Sequence, residues 1–570
     1  MKMNKNKNSV TIAIVGVIAT AILIIAVIAS SISKSNKDKN NSSGTLHSGT
    51  PQEQLAEALY DINVRQSEKY KGNVDYSDNA VANLPNIETK YPLTVIGSGD
   101  VNIEIFSTSE KAGKNNNSWL NEAAEEFNRQ NNKLSGGKTA SVSIRNIPSG
   151  ASADYISNNV YIPQAYTPSN TLFGELAMAH GAKLKLEQPS LVGNTAGIAL
   201  SKSTRSDIES KYSSCDFNTV IDAVVDGELQ MGYTYPYTSA TGLNFLVNAL
   251  QHFDGNDIFS SDAVAKFQQL QKGIPFVCYT TDQMVNAMQN GTLQAGVVEY
   301  QAYINNSTLK SSYEFIPFGY EHSNPLYSVG TLSAEQNEAL SLFLDYAMSS
   351  ESQELASEYG FNKKQDFKYN TTPISGNDII GAQSLWKQEK DSGTPTIALF
   401  IADVSGSMNG LPITRLKDSL LEASKNIKSD NYIGLISYSD DITVNLPIAQ
   451  FDLEQRSYFA GAVDRLTAGG NTATYDAVMV GIDMINKMKE QIPDANTMIF
   501  VLSDGMDNRG LTYNDSEDIV SAYGIPIYTI GYNEEIDSLK NLSAINEAVY
   551  INADTDDVVY ELSALFNAQM

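Results

Sequence analysis

The chain has 570 residues, room for three or four domains at roughly 150 residues each, and 42% are apolar, enough to bury sizeable cores. Acidic residues outnumber basic ones 66 to 39, a net charge of -27, and residues 1–50 hold six lysines against one aspartate, so the remainder is more negative still. Wholesale disorder is thereby excluded, and so is nucleic-acid binding as the main activity, because that affinity rests on Lys and Arg neutralising phosphates.

The first element is the uncharged run at residues 10–28. At about 1.5 Å per residue it spans a hydrocarbon core of about 30 Å, which predicts an uncleaved membrane anchor. Residues 27–29 also make a tolerable signal-peptidase site, the alternative reading. Lys2, Lys5 and Lys7 precede the run and Lys34, Lys37 and Lys39 follow it, a slight preference for the N-terminus inside. An acidic body agrees with export, so the expected location is the cell membrane, single-pass, with the body extracellular. Residues 1–33 are then a cytoplasmic tip and anchor. Residues 34–92 form a tether rich in Ser, Asn and Lys and an N-terminal extension, with helical spacing at 52–61 and little periodicity from there to Tyr91.

From residue 93 the texture changes to short apolar strands, such as 101–106 and 141–147, alternating with helical patterns such as 119–130. This predicts an α/β domain over 93–362 with a mostly parallel sheet. Residues 363–394, broken by Pro373 and Gly376, read as a connector with one helix at 378–390. The run 396–402 opens a second α/β unit, 395–570, and suits a central strand covered on both faces. Further strands are predicted at 432–438, 442–446, 497–502, 525–531 and 548–551, with Ser439-Asp440-Asp441 as a hairpin turn. Cys215 and Cys278 cannot make a disulfide scaffold or a four-thiolate metal site, and whether they pair stays open. None of the four histidines lies in a nucleophile or zinc signature. No catalytic residue is assigned, and the chain reads as a non-enzyme.

The strand at 396–402 runs into Asp403-Val404-Ser405-Gly406-Ser407. Gly469-Gly470-Asn471-Thr472 precedes a helical pattern, and Ser503-Asp504-Gly505 follows the strand 497–502. In open doubly wound sheets ligands collect beyond the carboxyl ends of strands, where these motifs fall. The donors are all oxygens, which suits Mg²⁺ or Mn²⁺ rather than zinc. Taken singly, the serines also serve as helix caps and Asp504 as a turn residue.

Asp403, Ser405, Ser407, Thr472 and Asp504 resemble, in order, the metal-ion-dependent adhesion site of von Willebrand factor type A domains. The resemblance covers about residues 396–570 and implies a doubly wound, Rossmann-like fold. It implies further that the two serines and Thr472 ligate the ion, that Asp403 and Asp504 act directly or through water, and that a partner protein's acidic side chain completes the coordination.

Residues 93–362 are similar to two-lobed extracellular solute-binding proteins, on the opening strand with Ser107-Thr108-Ser109, the return strand at 191–200, the loop Tyr237-Thr238-Ser239-Ala240-Thr241-Gly242-Leu243 and the closing helices at 333–362. Hydroxyls and free N–H groups at helix starts favour anions, which makes Ser107, Thr108, Ser109, Ser239 and Thr241 candidate residues for a small-molecule or anionic ligand, whose identity the sequence does not give. The same residues serve equally as ordinary caps. Tyr233, Tyr235 and Tyr237 read more readily as packing than as a pocket wall. The combined expectation is a surface protein that binds a protein partner through Mg²⁺, with a ligand-binding middle domain. The alternative is a solute receptor for a transport system.

Overall fold

In the computed structural model, the apolar run predicted at 396–402 becomes the central strand of a seven-stranded sheet. The structure describes residues 49–570 apart from 75–83, the short stretches 275–276, 279–280, 290–292, 533–535 and 554–557, and positions 364, 392, 506, 547 and 549. The predicted membrane run 10–28 lies outside the described residues, as does nearly all of the tether. Among the described residues no helix is long and apolar enough to cross a membrane.

Strands are numbered β1–β17 in chain order. The large sheet runs β1 (Val64–Gln66), β14 (Ile442–Gln450), β13 (Tyr432–Tyr438), β12 (Thr396–Asp403), β15 (Asn496–Ser503), β16 (Ile527–Tyr532) and β17 (Tyr550–Ala553). Neighbours are parallel except β13 and β14, which fold back on each other through the predicted turn at Ser439–Asp441. Helices cover both faces, so β12 carries no polar alternation. Ala398, Phe400 and Ala402 enter one core with Leu420, Phe500 and Phe566, while Ile397, Leu399 and Ile401 enter the other with Val478, Ile482 and Ile499.

The segment ahead of the middle domain belongs physically to this sheet. The helix Pro51–Leu59 starts in a capping box, with the Thr50 side chain accepting from the Glu53 N–H and Glu53 reaching back to the Thr50 N–H. It buries Leu55 and Ala58 in the second of the two cores, and β1 then adds a parallel edge strand beside β14. The chain returns past the helix Leu453–Asp464, where the Gly72 N–H donates to Ser457 O at 2.7 Å. A Cβ on Gly461 would stand 2.0 Å from Tyr70 O, so only glycine admits this approach.

The middle domain has two sheets. The first lobe orders β2 (Leu93–Val95), β4 (Ala140–Asn146), β3 (Val101–Ser107), β5 (Ala165–Thr167), β11 (Leu326–Val329) and β6 (Leu184–Gln188). Val101, Ile103 and Ile105 pack on one face with Trp119 and Phe127 from the helix Trp119–Arg129. The second lobe orders β10 (Tyr313–His322), β7 (Asn194–Ser201), β9 (Ala295–Glu299) and β8 (Met231–Gly232). The mostly parallel sheet expected here holds only in part. β3 is parallel to β4 and β5, but β7 runs against both β9 and β10, and β11 against β5 and β6. The chain crosses between lobes at residues 189–193 and 323–325, and strands entered from the other lobe oppose those built by local βαβ units. The crossings are joined to each other, Leu191 N–H to Asn324 O at 3.2 Å and Asn324 Nδ2 to Val192 O at 2.9 Å. No disulfide joins Cys215 to Cys278.

The connector helix, Gly376–Glu389, is packed into the second lobe, where Ile379, Ala382 and Trp386 are fully buried. Its last turn meets the C-terminal domain. Lys387 Nζ donates to Asn567 O at 3.1 Å and Asn426 O at 3.3 Å, and Asp391 pairs with Lys390 at 2.7 Å and Lys428 at 2.8 Å. Burial, reinforced by the nearby Lys390 and opposed by Asp391, pushes the Lys387 ammonium from 10.5 down to about 6. Between those values the unfolded chain holds a proton the folded chain lacks, so this group's contribution to stability rises with pH across that window. Lys387→Met is therefore expected to stabilise the protein at pH 7 by about 1 kcal/mol, read as a higher urea midpoint. The gain should shrink as pH approaches 10.5. A gain independent of pH would contradict the assignment.

Candidate functional site: a metal-type loop cluster and an interlobe cleft

Strands β12 and β15 are parallel neighbours, with Ala402 opposite Leu502, so Asp403 and Ser503 end side by side. The Ser503 hydroxyl donates to Asp403 Oδ2, and the Ser405 N–H donates to Asp403 Oδ1 at 2.7 Å. Ser405 Oγ and Ser407 Oγ lie 3.1 Å apart, and Ser407 Oγ donates to Asp504 Oδ1 at 2.8 Å. The loop carrying Thr472 is stitched to the first loop twice, Gly469 N–H to Val404 O at 2.7 Å and Gly406 N–H to Gly470 O at 2.9 Å. Its Gly470 adopts φ +94°, a left-handed conformation that suits glycine. A Cβ placed on Gly505 would lie 3.5 Å from Ser407 Oγ and 4.0 Å from Thr472 Oγ1, so both hydroxyls converge on the Asp504 turn.

All five predicted residues thus meet at the carboxyl end of the sheet. Asp403, Ser405 and Thr472 are buried, Asp504 is half-buried and Ser407 is exposed, which leaves one open side. Burial pushes both carboxyls up from their ordinary range, against hydrogen bonds from Ser503 and Ser405 to Asp403 and from Ser407 to Asp504. No cationic side chain among the described residues offsets either charge. Sequence reasoning missed three supporting residues. Ser503 orients Asp403, Asn508 Oδ1 accepts from the Thr472 N–H at 2.9 Å, and Asp507 Oδ1 accepts from the Thr474 N–H at 2.8 Å. Only Ser503 had a readable signal, its place at the end of an apolar strand. Among the described residues no group of three His, Cys, Asp or Glu side chains is set to hold a metal. Here hydroxyls supply the remaining donors. Two uncompensated carboxylates and three hydroxyls fit a hard divalent cation.

Between the two lobes of the middle domain lies a cleft of about 500 Å³. Thr108, Ser109, Ser239 and Thr241 line it. Ser107 does not. Strand alternation turns it away, and its buried Oγ has no hydrogen-bond partner. Capping and lining coincide at Ser239, whose Oγ accepts from the Gly242 N–H at 3.1 Å while bonded to Thr234 Oγ1 at 2.6 Å. The lobes touch across the cleft through Gln301 Nε2 and Asn117 Oδ1 at 2.8 Å, and through Gly150 N–H and Thr238 O at 3.1 Å.

Two carboxylates that the sequence analysis did not select line the cleft, one from each lobe. Glu110 Oε1 accepts from Lys111 Nζ at 3.0 Å, from Ser169 Oγ at 2.7 Å and from Thr108 Oγ1. Burial raises its pKa, but Lys111 and the two hydroxyls outweigh that and hold it at about 2. Glu299, at the end of β9, accepts from Thr241 Oγ1 at 3.1 Å, Asn194 Nδ2 at 2.7 Å and His322 Nδ1 at 2.8 Å. A charged residue closing the apolar run 295–298 was the available clue. The loop 233–241 alternates. Thr234 and Thr238–Thr241 face the cleft, while Tyr233 bonds Gln271 and Trp386, Tyr237 bonds Gln383 O, and Tyr235 Oη accepts from Asn567 of the C-terminal helix. The three tyrosines are packing, as expected.

With this geometry in hand, comparison with known proteins identifies both domains. Residues 112–362 match the family of bacterial extracellular solute-binding proteins, and residues 399–565 match the von Willebrand factor type A domain. Inter-alpha-trypsin inhibitor heavy chain H3 of Bos taurus is 31% identical over 169 residues, 27% of this chain and 18% of that protein. The chain thus spans under a fifth of that relative's length. Among solved structures, iron-bound HitA from Pseudomonas aeruginosa is 15% identical with a TM-score of 0.37, covering 51% of this chain and 99% of that one. A von Willebrand factor type A protein from Catenulispora acidiphila is 18% identical with a TM-score of 0.28, covering 30% and 42%.

Proposed function

We propose that this chain, a solute-binding domain followed by a von Willebrand factor type A domain, is a membrane-anchored surface protein that binds a protein partner at a Mg²⁺- or Mn²⁺-dependent site. The observation that carries the reading is the convergence of Asp403, Ser405, Ser407, Thr472 and Asp504 on one open-sided cluster without a balancing cation. The hydroxyls of Ser405, Ser407 and Thr472 and the carboxylate of Asp504 would hold the ion. Asp403, its oxygens already accepting from Ser405 and Ser503, supplies buried negative charge behind them. A bound divalent cation supplies the electrophilic position for a carboxylate of the partner. Work of this kind is binding without catalysis. Residues 10–28 would anchor the protein and leave its acidic body outside the cell.

The test is retention. Cell-surface proteins passed over the immobilised full chain in Mg²⁺ should include one that a chelator releases. Retention unchanged by the chelator would sink the metal-dependent reading. Protease added to whole cells, after removal of any wall, should digest the body. Full protection until lysis would rule out the topology. The cleft favours a second reading alongside the first, in which the middle domain takes up a small solute, as a receptor would.

A further inference from the structure

We propose that the interlobe cleft takes a solute bearing a hydrogen-bonding cation, a primary ammonium or a guanidinium group, rather than an oxyanion. The inference rests on the reading that the middle domain binds a small solute. Among the described residues, the only charged side chains lining the cleft are Glu110, from the first lobe, and Glu299, from the second. Two basic groups bonded to these carboxylates are buried behind the lining. Lys111 is fully buried and donates to Thr108 Oγ1, Glu110 Oε1 and Asn324 Oδ1. His322, also fully buried, uses Nδ1 on Glu299 and meets Asn170 and Asn244 through Nε2, each at 3.1 Å.

Both nitrogens of those amides are donors, so they leave Nε2 as the acceptor and Nδ1 as the protonated position. His322 is then neutral, and the Glu299 charge stays uncancelled. Lys111 balances Glu110, which leaves the cleft one negative charge in excess. Glu110 Oε2, moreover, accepts no hydrogen bond from any described residue, while Oε1 takes three. A small oxyanion bound by the hydroxyls would sit against two carboxylates of which Lys111 balances only Glu110, which costs more than helix-start N–H groups return. The rest of the lining selects among cations. It is rich in hydroxyls, including Ser109, Ser149, Ser169 and Thr238, and among the described residues contains no aromatic ring. Acceptors without a ring face reward N–H donors and give a quaternary ammonium no cation–π cage.

The experiment is a thermal-shift and calorimetric screen of the full chain, with chelator present to silence the distant metal site. The probes are a diamine, basic amino acids, a guanidinium compound, choline, and the oxyanions sulfate, phosphate and molybdate. Divalent metal ions form a separate arm without chelator, run on Asp403→Ala so that the loop cluster of the C-terminal domain stays silent. The expected result is saturable binding of ammonium or guanidinium probes, weakening with added salt, and lowered roughly tenfold or more by Glu299→Gln. If that variant folds poorly, Ser109→Lys carries the test. It places a tethered ammonium at an exposed position on the cleft wall and should abolish binding of the same probes. Binding of oxyanions alone, of divalent metals alone, or of choline as tightly as the ammonium probes would overturn the cation class and leave the solute reading standing. Saturation by none of the probes would overturn both.

Discussion

Truncating Trp386 to alanine is expected to lower the unfolding free energy of the middle domain by about 3–5 kcal/mol. The residue sits on the helix that links the two domains, yet its indole is fully buried in the second-lobe core. Its Nε1 donates to Tyr233 Oη at 2.6 Å, and Tyr235 and Tyr237 rings pack 5.5 and 5.9 Å from its own. Removing it opens a large cavity between the lobe and the helix, and the rigid helix and sheet around it can collapse only partly. The chain has two tryptophans, and the other, Trp119, lies in the first-lobe core. Urea unfolding of Trp386→Ala followed by the fluorescence of Trp119 therefore reports the first lobe, while circular dichroism reports the whole. A loss below about 1 kcal/mol would show that the helix is a loose linker rather than part of the lobe.

What could be read in the sequence was whatever leaves a local signature. The run from Thr396 to Ala402 is apolar at every position because both faces of the strand are covered, and that made it recognisable as central. The β13–β14 turn announced itself through Ser439-Asp440-Asp441. The metal-type residues were legible because each follows a strand or precedes a helix, and sheet register then brings them together. Pairings set by the tertiary fold left no such trace. Val64-Arg65-Gln66 is an exposed three-residue strand whose partner lies far along the chain in β14, so nothing local distinguishes it from coil. The antiparallel run of β7 against β10 follows from where the chain crosses between lobes. Ser107 looked equivalent to Thr108 until strand alternation separated them. Glu110 and Glu299 were not selected from the sequence, because only the opposed lobes give them a shared cavity.

Asp403→Ala is expected to reduce Mg²⁺ affinity by tenfold or more, on the order seen when groups supporting a metal site are removed. The fold should survive, because both cores of the sheet are packed from apolar side chains and the variant removes a carboxyl whose burial already raises its proton affinity. Thr472→Ala, which deletes one hydroxyl and no charge, should weaken binding by less. The deciding measurement is calorimetric titration of Mg²⁺ into the full chain, wild type beside Asp403→Ala, with circular dichroism as the folding control. The account predicts one saturable site in the wild type and its loss in a variant with an unchanged spectrum. Equal Mg²⁺ affinity in the two proteins would contradict it, and would leave Asp403, Ser405, Ser407, Thr472 and Asp504 as loop-closing residues with no part in binding a partner.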